Sequence, residues 1–168
     1  MTSLYHTLID GFTIRLATEK DTALILNFIE QLAEYEKLRH EVTATEEILR
    51  DSIFNKKQAE VVIGEYHGQP VGFALYFHNF STFLGKANLY LEDLFVLPEM
   101  RGKGFGKGLL AYMAKIAYER DCGRLDWACL DWNEPSIVFY KEMGAIPMDD
   151  WTVYRVQGET LKKLADLI

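Results

Sequence analysis

Between Arg101 and Gly108 the chain reads Arg-Gly-Lys-Gly-Phe-Gly-Lys-Gly, with glycine at every second position. An apolar strand pattern ending near Leu97 runs into this stretch. A helix pattern leaves it, with Leu109, Leu110, Met113, Ile116 and Ala117 on one side. Strand, glycine turn and helix in immediate succession confine the segment to a βα unit. Alternate glycines let successive backbone N–H groups converge on one point, where the start of the helix adds partial positive charge. Arg101, Lys103 and Lys107 place formal charge beside it. Three bases at a helix N-terminus oppose the macrodipole, so the turn calls for a bound anion, and phosphate is the anion such turns hold.

The common phosphate fingerprints do not fit. A Walker A loop ending in Gly106-Lys107 needs glycine in place of Arg101 and Ser or Thr in place of Gly108. A dinucleotide Gly-x-Gly-x-x-Gly begun at Gly102 needs glycine in place of Lys107, and begun at Gly104 needs it in place of Leu109.

The rest of the chain reads as alternating helices and strands. Phe12–Ala17 has strand alternation, and Thr18 with Asp21 resembles a helix start. Leu24, Ile25, Phe28, Ile29 and Leu32 then form one face of a helix running to about Tyr35. Thr43 with Glu46 predicts a second, short helix. Glu60–Tyr66 and Val71–Phe80 flank a glycine-containing turn and predict a hairpin, followed by a strand over Asn88–Leu97. After the long helix, ended by Gly123, come a buried strand over Arg124–Leu130 and a helix from Asn133-Glu134-Pro135 to Met143, with Gly144 beyond it. Trp151–Val156 reads as a last strand and Gly158–Ile168 as a terminal helix. No repeat or linker divides the chain. The expectation is one α/β domain spanning residues 1–168, a mixed sheet covered by helices.

Charge excludes some functions and suggests others. The net charge of −7 opposes affinity for nucleic acid or an anionic membrane. From Glu19 to Asp51 nine acids face four bases, and from Arg101 to Arg124 six bases face two acids, so one region suits a cation and another an anion. The longest apolar run, Leu109–Ala114, is far too short to span a bilayer, and the first ten residues lack a signal-peptide pattern. A cytoplasmic protein is expected. Cys122 and Cys129 suit reduced thiols, and the four histidines have no metal-ligand spacing. No Gly-x-Ser-x-Gly elbow supplies a serine nucleophile, and Cys129 has no sequence sign of an activating histidine, which argues against a covalent enzyme intermediate.

Arg-Gly-x-Gly-x-Gly opening a helix directly after an apolar strand resembles motif A of the GCN5-related N-acetyltransferase family. Two further strings, Tyr90-Leu91-Glu92-Asp93-Leu94-Phe95-Val96 and Trp132 through Lys141, resemble segments of its diamine branch, the spermidine/spermine and thialysine acetyltransferases. The resemblance implies a mostly antiparallel sheet of six or seven strands flanked by helices, acetyl-CoA as cosubstrate, a small-molecule amine as acceptor and a homodimer. It assigns the cofactor to Leu94, Phe95 and Val96, to Arg101, Gly102, Lys103, Gly104, Phe105, Gly106 and Lys107, and to Asn133, Ser136 and Tyr140. It makes Tyr140 the acid that protonates the departing thiolate and Glu92 the base, acting through ordered water. On pattern alone Tyr140 suits a core position two turns after Asn133. Glu92 and Asp93 interrupt an apolar strand, and strict alternation sends them to opposite faces. At least one is then enclosed, with a raised pKa, although a solvated edge or a structural hydrogen bond also fits the pattern.

For the acceptor, the resemblance gives Tyr35, Glu36, Ser81, Glu92, Asp93 and Asp131. Polyamine acetylators carry an acid where this chain has Ser81, and that absence points to thialysine or a similar diamino compound. Phe83 in place of the usual tryptophan, and the short Pro147–Trp151 segment, depart from the branch. Polyamine acetylation, protein amine acetylation and non-catalytic acyl-CoA binding are the rival readings.

Overall fold

Six strands hydrogen-bond in the order β1-β2-β3-β4-β5-β6 in the computed structural model, which describes residues 4–168. The first unit, Met1–Ala128, holds the sheet. Its elements are β1 (Leu4–His6), β2 (Phe12–Leu16), α1 (Thr22–Tyr35), α2 (Glu46–Arg50), β3 (Glu60–Tyr66), β4 (Gln69–Ser81), β5 (Lys86–Val96), α3 (Phe105–Glu119) and β6 (Leu125–Trp127). All neighbours are antiparallel except β5 and β6. The second unit, Cys129–Ile168, carries α4 (Glu134–Glu142) and α5 (Gly158–Ala165). Among the described residues no helix is long and apolar enough to cross a membrane.

Local chemistry explains the main junctions. His67 and Gly68, at φ 48° and 78°, make the two-residue turn whose twist suits a β3–β4 hairpin. Ahead of α1, the Thr18 N–H donates to Asp21 Oδ2 at 2.7 Å in a capping box. Arg15 grips the same carboxylate at 2.8 and 2.9 Å and holds Glu65 on β3 at 2.7 Å. The Arg15 guanidinium keeps Asp21 below the usual carboxylate range, so the start of α1 is tied to the sheet.

The sheet has two packed faces. Phe73, Ile63, Val61 and Phe95 join Ile25 and Phe28 of α1 in one core, with Leu75 and Leu49 against it. The opposite face meets α3. A Cβ on Gly64 would touch Leu109, and one on Gly106 would touch Val96. Between Leu75 and Tyr76 the β4–β5 register shifts. Leu75 pairs with Asp93 and Tyr76 with Leu91, so Glu92 is the extra residue of a β-bulge. Beyond the bulge Asp93 and Phe95 share the α1 face with Leu75 and Phe73, whereas before it Leu91 shares the α3 face with Tyr76. The strict alternation that the pattern predicts through Glu92 and Asp93 is therefore broken.

Gly72 fixes the spacing of β4 and β5 where the strand leaves the bulge. A Cβ there would sit 2.4 Å from the Phe95 carbonyl oxygen and 3.2 Å from Val96 Cα, and backbone cannot move aside cheaply. Gly72→Ala is expected to lower unfolding free energy by about 1–3 kcal/mol, as overpacking does. Urea unfolding checks this, and an unchanged midpoint would show that the strands separate freely.

Several boundaries differ from the sequence expectation. β1 has no counterpart there, because three exposed residues carry too little pattern. The cap of α2 is Thr45, whose hydroxyl accepts from the Ile48 N–H at 3.2 Å, not Thr43. α3 ends at Glu119, four residues before Gly123, and Asp121 takes the left-handed turn at φ 52°. The strand predicted over Arg124–Leu130 is only Leu125–Trp127 and is half-buried. Trp151–Val156 forms no strand. Its residues alternate suitably but have no partner strand among the described residues, and a strand needs a ladder to satisfy its backbone.

Candidate active site

The glycine turn stands directly before α3 with a backbone geometry that suits an anion. Gly102 and Gly104 stand at φ 78° and 86°, the left-handed region, and Gly104 is the N-cap of α3 with no side chain capping the helix. The first N–H groups of α3 have no intrahelical acceptors, by helix geometry. Phe105 points inward, stacked on Phe12 at 4.5 Å, so it anchors the turn while Lys103 and Lys107 remain exposed.

The strand leading into that turn has an open edge. β6 pairs with β5 only at Leu89, Tyr90 and Leu91, which lie opposite Leu125, Asp126 and Trp127. Farther along β5, the Leu97 N–H donates to the Val71 carbonyl on β4 at 2.8 Å, which turns the N–H and C=O of Val96 toward the opposite edge. Leu94, two residues back, faces the same way. Leu94 and Val96 thus offer backbone groups at an edge that no strand covers among the described residues. The Phe95 carbonyl instead faces Gly72, and its ring is core. Arg101 turns back onto this strand. Its Nε donates to the Val96 carbonyl at 3.1 Å, and its guanidinium lies 4.8 Å from the centre of the Tyr35 ring and 5.6 Å from that of Phe95.

Acidic groups gather on the α1 face of β5. Burial, then the charges of Glu92 and Glu36, push the Asp93 carboxyl up to about 7. Burial also raises Glu36, at the end of α1. Every cause acting on Asp93 disfavours its charge. A positive charge brought to this cluster would offset the repulsion and favour the ionised form of Asp93. Tyr90 is raised by burial, Glu92 and Asp126. Sequence reasoning misses Asp126, because only the parallel β5–β6 register sets it opposite Tyr90.

The first unit therefore brings Tyr35, Glu36, Glu92 and Asp93 together with the edge of Leu94 and Val96. Ser81 stands apart. It lies six residues along β4 from Leu75, the partner of Asp93, or roughly 20 Å at the usual strand rise. Buried there, its hydroxyl accepts from the Leu84 N–H at 3.2 Å and shapes the β4–β5 turn.

In the second unit, Asn133 is buried and precedes α4. Its N–H donates to the Leu130 carbonyl at 2.9 Å and its own carbonyl accepts from the Ile137 N–H at 3.0 Å, while its side chain makes no cap bond. Ser136 and Tyr140 follow at three and seven residues, spacings that share one helix face. Both are half-buried, and Asp131 is exposed in the preceding turn. The Tyr140 carbonyl accepts from the Ala145 N–H at 3.0 Å, with Gly144 at φ 88° closing the helix as expected.

A glycine cradle at a helix start, an open strand edge beside it and a cluster of acids define an acyltransferase-type site. The acetyltransferase (GNAT) family model matches residues 25–145, and the chain belongs to that family and is an N-acetyltransferase. Members of the family take the acetyl group from acetyl-CoA. Thialysine N-epsilon-acetyltransferase of Bos taurus is 39% identical over 164 residues, covering 90% of this chain and 96% of the relative. L-ornithine N5-acetyltransferase of Arabidopsis thaliana is 31% identical, covering 92% and 88%. Among solved structures, an integron cassette protein of V. cholerae superposes with a TM-score of 0.77 at 30% identity, covering 92% of this chain and 98% of that one.

Proposed function

We propose that the protein acetylates the side-chain amine of thialysine or a similar small diamino compound. The observation that carries this reading is the cluster of acids Glu36, Glu92 and Asp93 beside the open edge of β5, in which Asp93 is half-buried and its charge is disfavoured by burial and by the two neighbouring carboxylates. The names of the relatives from Bos taurus and Arabidopsis thaliana support a lysine-like acceptor. In this reading residues 1–168 work as one catalytic domain, since the family match runs through both units. A homodimer working in the cytoplasm is part of the same proposal.

Acetyl-CoA supplies an activated acetyl group as a thioester. The Leu94 and Val96 backbone would hold its acetyl and pantetheine end, and the N–H groups from Gly102 to Lys107 its pyrophosphate. Asn133 and Ser136 would flank the same arm. Tyr35, Glu36, Asp93 and Asp131 would line the amine. An alkyl ammonium of pKa near 10.4 must first lose a proton, at about 4 kcal/mol if left to equilibrium at pH 7.5. Glu92 takes that proton through water. As the new C–N bond forms and the C–S bond breaks, Tyr140 gives its phenolic proton to the sulfur and is reprotonated by the second proton, which the acetylated nitrogen sheds to become a neutral amide.

Competition between thialysine and spermidine at limiting acetyl-CoA tests the acceptor. The expected result is a higher kcat/KM for thialysine, and a clear preference for spermidine overturns it. Isothermal calorimetry showing no acetyl-CoA binding at millimolar concentration would remove the reading altogether.

A further inference from the structure

We propose that Arg101 is a positioning residue for the acceptor side of the site, clamping Tyr35 to the open edge of β5, and is not a phosphate ligand. The inference rests on the acetyl transfer described above. Its position in the glycine turn suggests a charge for pyrophosphate, but its side chain is engaged elsewhere. The Nε–H reaches the Val96 carbonyl at 3.1 Å, and the planar guanidinium lies within 4.8 Å of the Tyr35 ring centre and 5.6 Å of that of Phe95. These contacts join three parts of the chain: the end of α1, the strand edge and the turn before α3.

Each contact has a consequence. The Nε–H satisfies the outward carbonyl of Val96, leaving the N–H groups on that edge for the acyl donor. The guanidinium face fixes the Tyr35 ring, and through it the adjacent Glu36, whose charge acts on Asp93. Arg101 therefore sets the distance between the acceptor wall and the strand that receives the thioester. Lysine cannot replace it, because an ammonium has neither the planar face nor the Nε–H.

The test compares Arg101→Lys and Arg101→Gln with the unaltered protein, which must first be shown to acetylate thialysine. Failure at that first step condemns the functional reading rather than this one. Both variants are expected to raise KM for thialysine about tenfold, with the acetyl-CoA dissociation constant within about twofold. The same loss is expected with S-acetyl-pantetheine, a donor without pyrophosphate. Tyr35→Leu is expected to be non-additive with Arg101→Gln. Arg101 lies on the surface, so unfolding midpoints are expected to stay close to that of the unaltered protein. Rescue by lysine, a loss confined to acetyl-CoA affinity, or a loss that vanishes with S-acetyl-pantetheine would each overturn the assignment.

Discussion

Asp93→Asn is expected to make the protein more stable at pH 8 and a poorer enzyme. In the unfolded chain this carboxyl titrates near 3.8, whereas in the folded protein burial, Glu92 and Glu36 push it up to about 7. Between these values the native state holds a proton that the unfolded state has released. Stability contributed by this group therefore falls as pH rises from about 4 to about 7, and the penalty is constant above that. Asparagine has no proton to lose and removes the penalty. The gain is expected to be on the order of 2–4 kcal/mol at pH 8 and to vanish below pH 4. Urea unfolding at the two pH values reads it directly. On the functional side, losing the carboxylate removes a charge-assisted partner of the ammonium, and kcat/KM for thialysine is expected to fall about 10- to 100-fold. Equal stability of the two proteins at pH 8 would mean that Asp93 is not strained, and equal kcat/KM would remove it from the amine site.

Tyr140→Phe is expected to lower kcat by about 100-fold or more while leaving acetyl-CoA affinity nearly intact, which is the signature of a lost proton donor. The phenol, not the ring, carries the effect, since phenylalanine preserves the packing against Phe139 at 5.3 Å. A thioester whose leaving thiol is more acidic needs less help from a donor, so the variant should recover part of its rate with such a thioester. A kcat equal to that of the unaltered protein would take Tyr140 out of the reaction.

Alternating glycines between Arg101 and Gly108 predict a turn at a helix start whatever surrounds them, because the backbone conformations they permit are local properties. The amphipathic face of α1 and the closing Gly144 are legible for the same reason. Features that depend on register are not. The extra residue in β5 is invisible in a string where Glu92 and Asp93 simply interrupt a strand, and Asp126 meets Tyr90 only after β6 has been laid against β5. Trp151–Val156 has the pattern of a strand but lacks a partner among the described residues, and pattern alone cannot supply one.

The bulge has a consequence for how this sheet can change over time. A regular strand couples its two sides rigidly, so inserting or deleting one residue turns every later side chain inside out. In β5 a half-period has already been absorbed at Glu92, which leaves the α1-facing positions and the α3-facing positions under separate selection. With Asp93 lining the amine as proposed, substrate range can drift through such residues while the opposite surface keeps the packing that holds the enzyme together.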